Sequence, residues 1–379
     1  MRALQLYAGP GARAAIAKNG LQAGDICTIP AAAGGPKGLL LGPLDRFIFG
    51  TWLPQSVQPI DLVGASIGAW RMSTACLNDP LAALNRLEHD YVHQHYELPP
   101  GQKKVSAALV SEVFGKNLSA FYDQRVPEVL NHPRFRLHVL TSRGRHMLHT
   151  ERGLRTAAGY LGAFLTNAVH RRAMGAWLER VVFSAKQAPL PFGTQDYRTR
   201  QVALTEANFN LALQASCSIP FVLKAVHNIP GAPAGAYWDG GITDYHLHLN
   251  YANALQNAMV SGATHAYSTG VAGMNESHKL VLYPHFQKAV VPGWLDKSLK
   301  WRHRSTHFLD TTLVLAPNPE WVKTLPNAKL PDRTDFARYG NDLAARVKAW
   351  KAATSASEQL VDEFAKWLER PDVARVQPL

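Results

Sequence analysis

The sequence has little cysteine and no long hydrophobic run, and each absence excludes a class of protein. The three cysteines, Cys27, Cys76 and Cys217, are widely spaced and odd in number, which predicts neither a disulfide framework nor a CxxC metal site. We therefore expect a reducing compartment. No segment approaches the roughly 18 uninterrupted apolar residues of a membrane-spanning helix, so an integral membrane protein is not predicted.

A secretory signal peptide, an internal repeat and a flexible linker are also missing. Gly9, Pro10 and Arg13 interrupt the N-terminus before an apolar segment of about 7 to 15 residues can form. We expect a cytoplasmic protein, and peripheral contact with a membrane is compatible with that location. Because no Gly/Ser-rich stretch divides the chain, residues 1–379 are predicted to form a single domain.

Acidic residues are in the minority, with 28 Asp and Glu against 40 Lys and Arg and a formal net charge of +12. This balance favours anionic partners such as nucleic acid, phospholipid head groups or acidic metabolites. The basic residues are scattered, and no RNP or zinc-finger pattern accompanies them, so nucleic acid is not expected. An anionic membrane surface remains a compatible partner, and the sequence leaves the oligomeric state open.

Two segments have the order strand, glycine loop, helix, which is typical of a parallel sheet with helical crossovers. They begin at "DICTIPAA" (25–32) and at "IDLVGA" (60–65). Further apolar, β-rich runs predict a sheet of five or more strands; they lie at 135–142, 180–185, 278–284 and 311–317. Helical spacing predicts an insertion at about 81–130 and a C-terminal extension of one or two long helices at about 333–370.

The second of these segments carries a serine between two glycines. Gly64, Ser66 and Gly68 form a GxSxG pattern at the join of an apolar strand and a helix. In such a turn the glycines allow close backbone packing and the serine Oγ is lifted to the edge of the sheet. The following helix directs its positive end at developing negative charge. We interpret Ser66 as a candidate nucleophile; the alternative is a small residue in a tight corner.

Two other glycine-containing segments offer groups that a nucleophilic serine needs. The loop "AAAGGPKGLLL" contains Gly34, Gly35, Lys37 and Gly38, whose backbone N–H groups are candidate donors to an oxyanion. A phosphate cradle or a plain turn is the alternative, although the P-loop pattern GxxxxGK[ST] is absent. The segment "AYWDGGITD" offers Asp239 as a carboxylate, and a hairpin turn is the alternative there.

Together and in this order, these motifs resemble those of the patatin-like phospholipase family. The family's glycine-rich motif corresponds to residues 33–38, its GxSxG to residues 64–68 and its D-G-[GA] to residues 239–241. A fourth segment, "ASCSIPFVL" (215–223), is similar to the family's A-S-x-x-[IF]-P. The resemblance covers a motif-bearing core at about 26–244. It implies an α/β fold, a three-layer α/β/α sandwich with a mainly parallel central sheet.

The resemblance also implies the chemistry. Ser66 would be the nucleophile of a Ser-Asp dyad, Asp239 its activating group, and Gly64 and Gly68 the glycines of the nucleophile elbow. A partly desolvated carboxylate has a raised pKa and can accept the serine proton. Ala33 stands where the family usually has its first glycine, which leaves open how many oxyanion donors point inward. The implied activity is lipid acyl hydrolysis in lipid degradation, without cofactor or metal.

Other interpretations remain. A conventional Ser-Asp-His triad needs a histidine downstream of the aspartate, and five lie there: His246, His248, His265, His278 and His285. His-x-His pairs at 93/95 and 246/248 could bind metal, but no further ligand pattern accompanies them. A soluble carboxylesterase, a thioesterase or a polyester depolymerase could use the same dyad. A non-catalytic lipid-binding scaffold could keep the same fold.

Overall fold

A central β-sheet organises the computed structural model, which describes residues 1–96, 105–252 and 279–379. The strands in chain order are β1 Leu4–Ala8, β2 Ile26–Ala31, β3 Ile60–Ala65, β4 Phe135–Gly144, β5 Leu178–Ser184, β6 Thr199–Ala203, β7 Val226–His227, β8 Ala236–Asp239, β9 Leu280–Pro284, β10 Thr312–Pro317 and β11 Val376–Pro378. All four β-rich runs noted in the sequence lie in or overlap these strands. The start of the run at 278–284 falls outside the described residues.

The sheet is mostly parallel, as predicted for an α/β fold. Its spatial order is β11-β1-β10-β9-β2-β3-β4-β5-β6, with β8 paired to β4 and β7 to β8. The neighbours from β10 to β4 are parallel, whereas β1 with β10, β4 with β5, and β4 with β8 are antiparallel. β2 and β3 are buried along their whole length. Continuous apolar strands are expected where both faces of a parallel sheet are covered.

The helices in chain order are α1 Pro10–Asn19, α2 Gly42–Phe47, α3 Ile67–Ala75, α4 Pro80–His93, α5 Ala107–Tyr122, α6 Val126–Leu130, α7 Gly153–Val169, α8 Phe209–Cys217, α9 Pro319–Val322, α10 Thr334–Tyr339, α11 Leu343–Ala356 and α12 Glu358–Glu369. The predicted helical segment at about 81–130 contains α4, α5 and α6. None of the helices in the described ranges is both long and apolar enough to cross a bilayer.

The C-terminal extension differs from the prediction of one or two long helices. It contains three helices, because Gly340 at a φ of 51° ends α10 and Ser357 separates α11 from α12. The amphipathic α12 buries Phe364 and Trp367 in the main core, and the Phe364 ring lies 5.7 Å from that of Trp52. The strand β11 then pairs with β1. The C-terminal part of the chain therefore adds a strand to the sheet as well as packing against it.

The pairing register along β4 determines which strand ends lie side by side. β3 pairs with the first part of β4 and ends with Ala65 opposite Leu140. β8 pairs with the next part of β4 and ends with Asp239 opposite Thr141. Ala65 and Asp239 thus lie opposite consecutive residues of one strand. The residue that follows β3, which is Ser66, is consequently brought beside Asp239.

Candidate functional site

Ser66 lies at the turn between β3 and α3, and its backbone is strained. Its φ is 56° and its ψ is −130°, a combination that costs a non-glycine residue roughly 1–3 kcal/mol. The carbonyl of Ser66 accepts the first hydrogen bond of α3, from Ala69 N–H at 2.9 Å. A Cβ on Gly68 would overlap the carbonyl oxygen of Ala31. Glycine at this position therefore allows α3 to lie close against the end of β2.

The segment at 215–223 connects the serine turn to the aspartate strand. The Ser216 hydroxyl accepts from Ser66 N–H at 3.0 Å and donates to the carbonyl oxygen of Leu140 at 2.7 Å. The carbonyl of Ser218 accepts from Asp239 N–H at 2.9 Å. Two serines of this segment thus hold the backbone of both candidate residues. Structural positioning is a role that the sequence motif did not specify.

Asp239 is buried, and its carboxylate accepts a hydrogen bond from Gly241 N–H at 2.7 Å. The Ser66 side chain lines the same cavity and is near enough to influence the pKa of the carboxylate. Burial raises the pKa of Asp239 to about 6, because a charged carboxylate is poorly solvated there. The nearby Ser66 side chain and the positive charge of Arg333 oppose this rise. The group is therefore mostly ionised near neutral pH and faces the same cavity as Ser66.

Cys217 is a neighbour of Ser66 that sequence reasoning did not place in the site. Both residues line the larger cavity, and burial raises the pKa of the Cys217 thiol well above its ordinary value. The negative charge of Asp239 raises it further. The thiol therefore stays neutral, which makes Cys217 a packing neighbour of Ser66. Its signal in the sequence was its position within the 215–223 segment.

The glycine loop lies against the aspartate segment, with its residues divided between two cavities. Ala33 N–H donates to the carbonyl oxygen of Tyr245 at 3.0 Å, so this amide is already engaged. Gly34 and Lys37 line a smaller cavity that also contains Ser66 and Asp239. Gly35, at a φ of 57°, lines a larger one.

The last residue of the predicted loop lies elsewhere. Gly38 lines neither of the two cavities that contain Ser66, and a Cβ there would lie 3.1 Å from Ile67 Cγ1. Gly38 is therefore a residue of close packing between the loop and α3.

The smaller cavity, of about 210 Å³, is lined by several cations. Lys37, Lys297 and Arg333, which we call the cation cluster, line it together with Ser66 and Asp239. Burial lowers the pKa of Lys297 to about 8, and the charges of Lys37 and Arg333 contribute to the decrease. Lys297 Nζ lies 4.0 Å from the centroid of the Tyr245 ring. The three cations are thus near enough to repel one another.

Asp332 also lines this cavity, and its charge partly offsets the decrease in the Lys37 pKa that burial causes, although it also forms an ion pair with Lys329 at 2.8 Å. Lys297 and Arg333 belong to the last third of the chain, where no motif indicated a functional residue. Only the tertiary fold brings them to Ser66. An excess of positive charge in a partly buried cavity is costly unless an anion is bound.

The larger cavity, of about 720 Å³, also includes Ser66 in its lining and is mainly apolar. Its apolar and aromatic lining includes Trp70, Tyr91, Val110, Phe114, Ile219, Phe221, Val222, Leu223 and Phe336. Ser66 and Arg333 line both cavities. The serine hydroxyl therefore stands at the junction of an apolar space and a cationic one.

Three of the five histidines considered for a conventional triad lie in the described part of the chain, and none of these three reaches this junction. His246, His248 and His285 line neither cavity that contains Ser66. Burial lowers the pKa of His248 to about 4 and that of His285 to about 3, and it lowers that of His246 well below its usual range. His265 and His278 fall outside the described residues. For the three described ones, the packing and the lowered pKa argue against proton transfer with Ser66.

Comparison with known proteins gives little further information. No family model matches the chain, and no curated protein matches it. Among solved structures, VipD from Legionella pneumophila has a TM-score of 0.35 and 12% identity, over 89% of this chain and 67% of that chain. So low a similarity carries no functional argument, and the assignment depends on the site itself.

Proposed function

We propose that this chain is a lipid acyl hydrolase of the patatin-like type, a single domain with a three-layer α/β/α arrangement. The observation that carries the proposal is the position of Ser66, on a strained turn beside a buried carboxylate of raised pKa and at the junction of two unlike cavities. Perturbed titratable groups that face a cavity are characteristic of active sites. The resemblance of the three motifs to the patatin-like family supports the same function.

In the proposed reaction Ser66 Oγ attacks the acyl carbonyl carbon while its proton passes to Asp239. The tetrahedral intermediate then expels the alcohol, which takes this proton, and leaves an acyl ester on Ser66. Water attacks the ester while Asp239 takes its proton, and the collapse of the second tetrahedral intermediate releases the fatty acid as Asp239 returns the proton to Ser66 Oγ. A pKa of about 6 suits this role, because the carboxylate is ionised near neutral pH and can still hold a proton.

The developing oxyanion would be stabilised by backbone amides around the glycine loop and by the N-terminus of α3. Gly34, Gly35 and Lys37 supply the candidate N–H groups. Ala33 N–H is committed to Tyr245, so the alanine at the family's glycine position removes no free donor. Gly38 is a weaker candidate than the sequence suggested, because it packs under Ile67. Losing one such donor typically costs about 10² to 10³ in rate.

The two cavities support a lipid as the substrate. An acyl chain fits the larger, apolar cavity, whose volume is in the range of ligand-binding sites. An anionic alcohol portion, such as a glycerophosphate, would neutralise the cation cluster in the smaller cavity. A phospholipid combines these two chemistries in one molecule, whereas a small neutral ester would use neither. Hydrolysis in lipid degradation is therefore the activity we propose.

The test is release of fatty acid from phosphatidylglycerol and from p-nitrophenyl butyrate by the wild-type chain and by Ser66→Ala. We expect wild-type turnover on both and none above background for Ser66→Ala. Ser355→Ala, which changes an exposed serine, should behave as wild type. Activity on the p-nitrophenyl ester alone would support the soluble esterase instead. Folded wild-type protein without activity on either would support a non-catalytic lipid-binding scaffold.

A further inference from the structure

The helix α7 exposes a row of large apolar side chains. Leu154, Leu161, Leu165 and Val169 are exposed by 91, 59, 56 and 85% respectively, and we call them the apolar face of α7. Their spacing of seven, four and four residues places them on one side of the helix. A surface helix ordinarily presents polar residues on this side. Arg155 is the only charged residue within α7.

The opposite side of α7 is packed against the protein, so the exposed apolar residues are not the side that anchors the helix to the core. Thr156, Gly159, Tyr160, Ala163 and Asn167 form the buried side. The helix therefore has two apolar sides, of which one lies against the protein and one does not. Large contiguous apolar patches on a protein surface mark sites of interaction.

Two further exposed apolar residues, Phe221 and Val222, lie near α7, on the side of the helix that carries Tyr160. The Phe221 ring lies 6.1 Å from the Tyr160 ring of α7. Phe221 and Val222 are themselves 62 and 47% exposed, and both line the cavity that contains Ser66. Phe221 has a φ of 67°, an unfavourable conformation for a bulky residue that the surrounding structure must hold in place.

Basic residues flank this apolar surface at both ends. Arg152 and Arg155 are exposed at the start of α7, and His170 and Arg172 are exposed just beyond its end. Glu151 is the nearby acid in the sequence and lies 3.4 Å from Lys224. An apolar helical face bordered by arginines is typical of helices that lie in the interface of an anionic bilayer.

We propose that the apolar face of α7, together with Phe221 and Val222, docks the protein on an anionic lipid surface. The helix lies in the plane of the interface with its leucines and valine among the acyl chains, and the arginines contact the lipid head groups. A second copy of the chain fits this surface less well, because pairing the same face would bring the flanking arginines together. Docking does not require turnover and can be tested without it.

The experiment measures co-sedimentation of the full chain with vesicles of phosphatidylcholine containing about one third phosphatidylglycerol. The variants are Val169→Glu and its matched control Val57→Glu, since Val57 is also 85% exposed. We expect wild type and Val57→Glu to bind comparably and Val169→Glu to bind about tenfold more weakly, a change of about 1.4 kcal/mol. Binding should also fall on pure phosphatidylcholine and at high salt.

The uncharged double variant Leu165→Ala/Val169→Ala separates loss of apolar area from added negative charge. It should also bind more weakly than wild type, while its thermal unfolding and its hydrolysis of a water-soluble ester remain unchanged. Equal vesicle binding by wild type, this variant and Val169→Glu would overturn the proposal. A second result would also overturn it: the wild-type chain does not bind vesicles but forms a dimer, and Val169→Glu dissociates that dimer. The apolar face would then be an interface between two copies of the chain.

Discussion

Asp239→Asn is the substitution whose consequences follow most directly from the site, because it should affect activity and stability in opposite directions. The pKa of Asp239 is raised from 3.8 to about 6 in the folded chain. Between these two values the folded protein holds a proton that the unfolded chain has released. The free energy of unfolding therefore falls as pH rises through this window.

The size of the effect can be derived from the same shift. About two pKa units correspond to about 3 kcal/mol at most, at about 1.4 kcal/mol per unit. Asparagine carries no charge to desolvate, its side-chain oxygen can still accept from Gly241 N–H, and its NH2 group can donate to Ser66. We expect Asp239→Asn to be about 1 to 3 kcal/mol more stable than wild type at about pH 8. This difference should disappear by about pH 4.

The same variant cannot take up the serine proton, so ester hydrolysis should fall by roughly 10² to 10⁴. Urea unfolding at the two pH values and turnover of p-nitrophenyl butyrate measure the two effects on one preparation. A variant that loses stability equally at both pH values would contradict the raised pKa. One that keeps substantial turnover would contradict the role of Asp239 as the base.

Three further outcomes follow from the site. Activity should rise with pH around the Asp239 pKa of about 6 and level off by about pH 8, as a pH–rate profile would show; a profile unaffected there would remove the carboxylate from the reaction. Lys37→Ala should lower turnover less than Ser66→Ala, because the loop amides survive; equal loss in a folded variant would give the lysine side chain a direct role. Lys297→Gln and Arg333→Gln should each reduce the preference for phosphatidylglycerol over a neutral diacylglycerol about tenfold, as competition assays would measure; an unchanged ratio would contradict the anionic subsite.

The strands and the serine turn could be predicted from the sequence because their signals are local. Ser66 follows a short apolar strand and precedes a helical pattern, and these features lie within about a dozen residues. Asp239 could be paired with it only through the family resemblance. The two residues lie close together because of the pairing register on β4, where Ala65 lies opposite Leu140 and Asp239 lies opposite Thr141.

The cations around the serine could not be predicted from the sequence, because only the tertiary fold brings them there. Lys297 and Arg333 lie more than two hundred residues beyond Ser66 in the sequence, and neither belongs to a motif. Arg333 reaches the cavity because the C-terminal extension folds back over the sheet, whereas Lys297 reaches it from the connection between β9 and β10. The apolar face of α7 was likewise invisible in the sequence, since helical periodicity alone does not tell which of two apolar sides is buried.

Labelling with a fluorophosphonate probe tests the central claim most directly, because only an activated serine reacts readily. The labelled protein is digested and the modified residue is identified by mass spectrometry, with Ser66→Ala and Ser355→Ala treated alongside. The account predicts one modified peptide containing Ser66, in the wild type and in Ser355→Ala, and no labelling of Ser66→Ala. Modification of a different serine, or undiminished labelling of a folded Ser66→Ala variant, would contradict it.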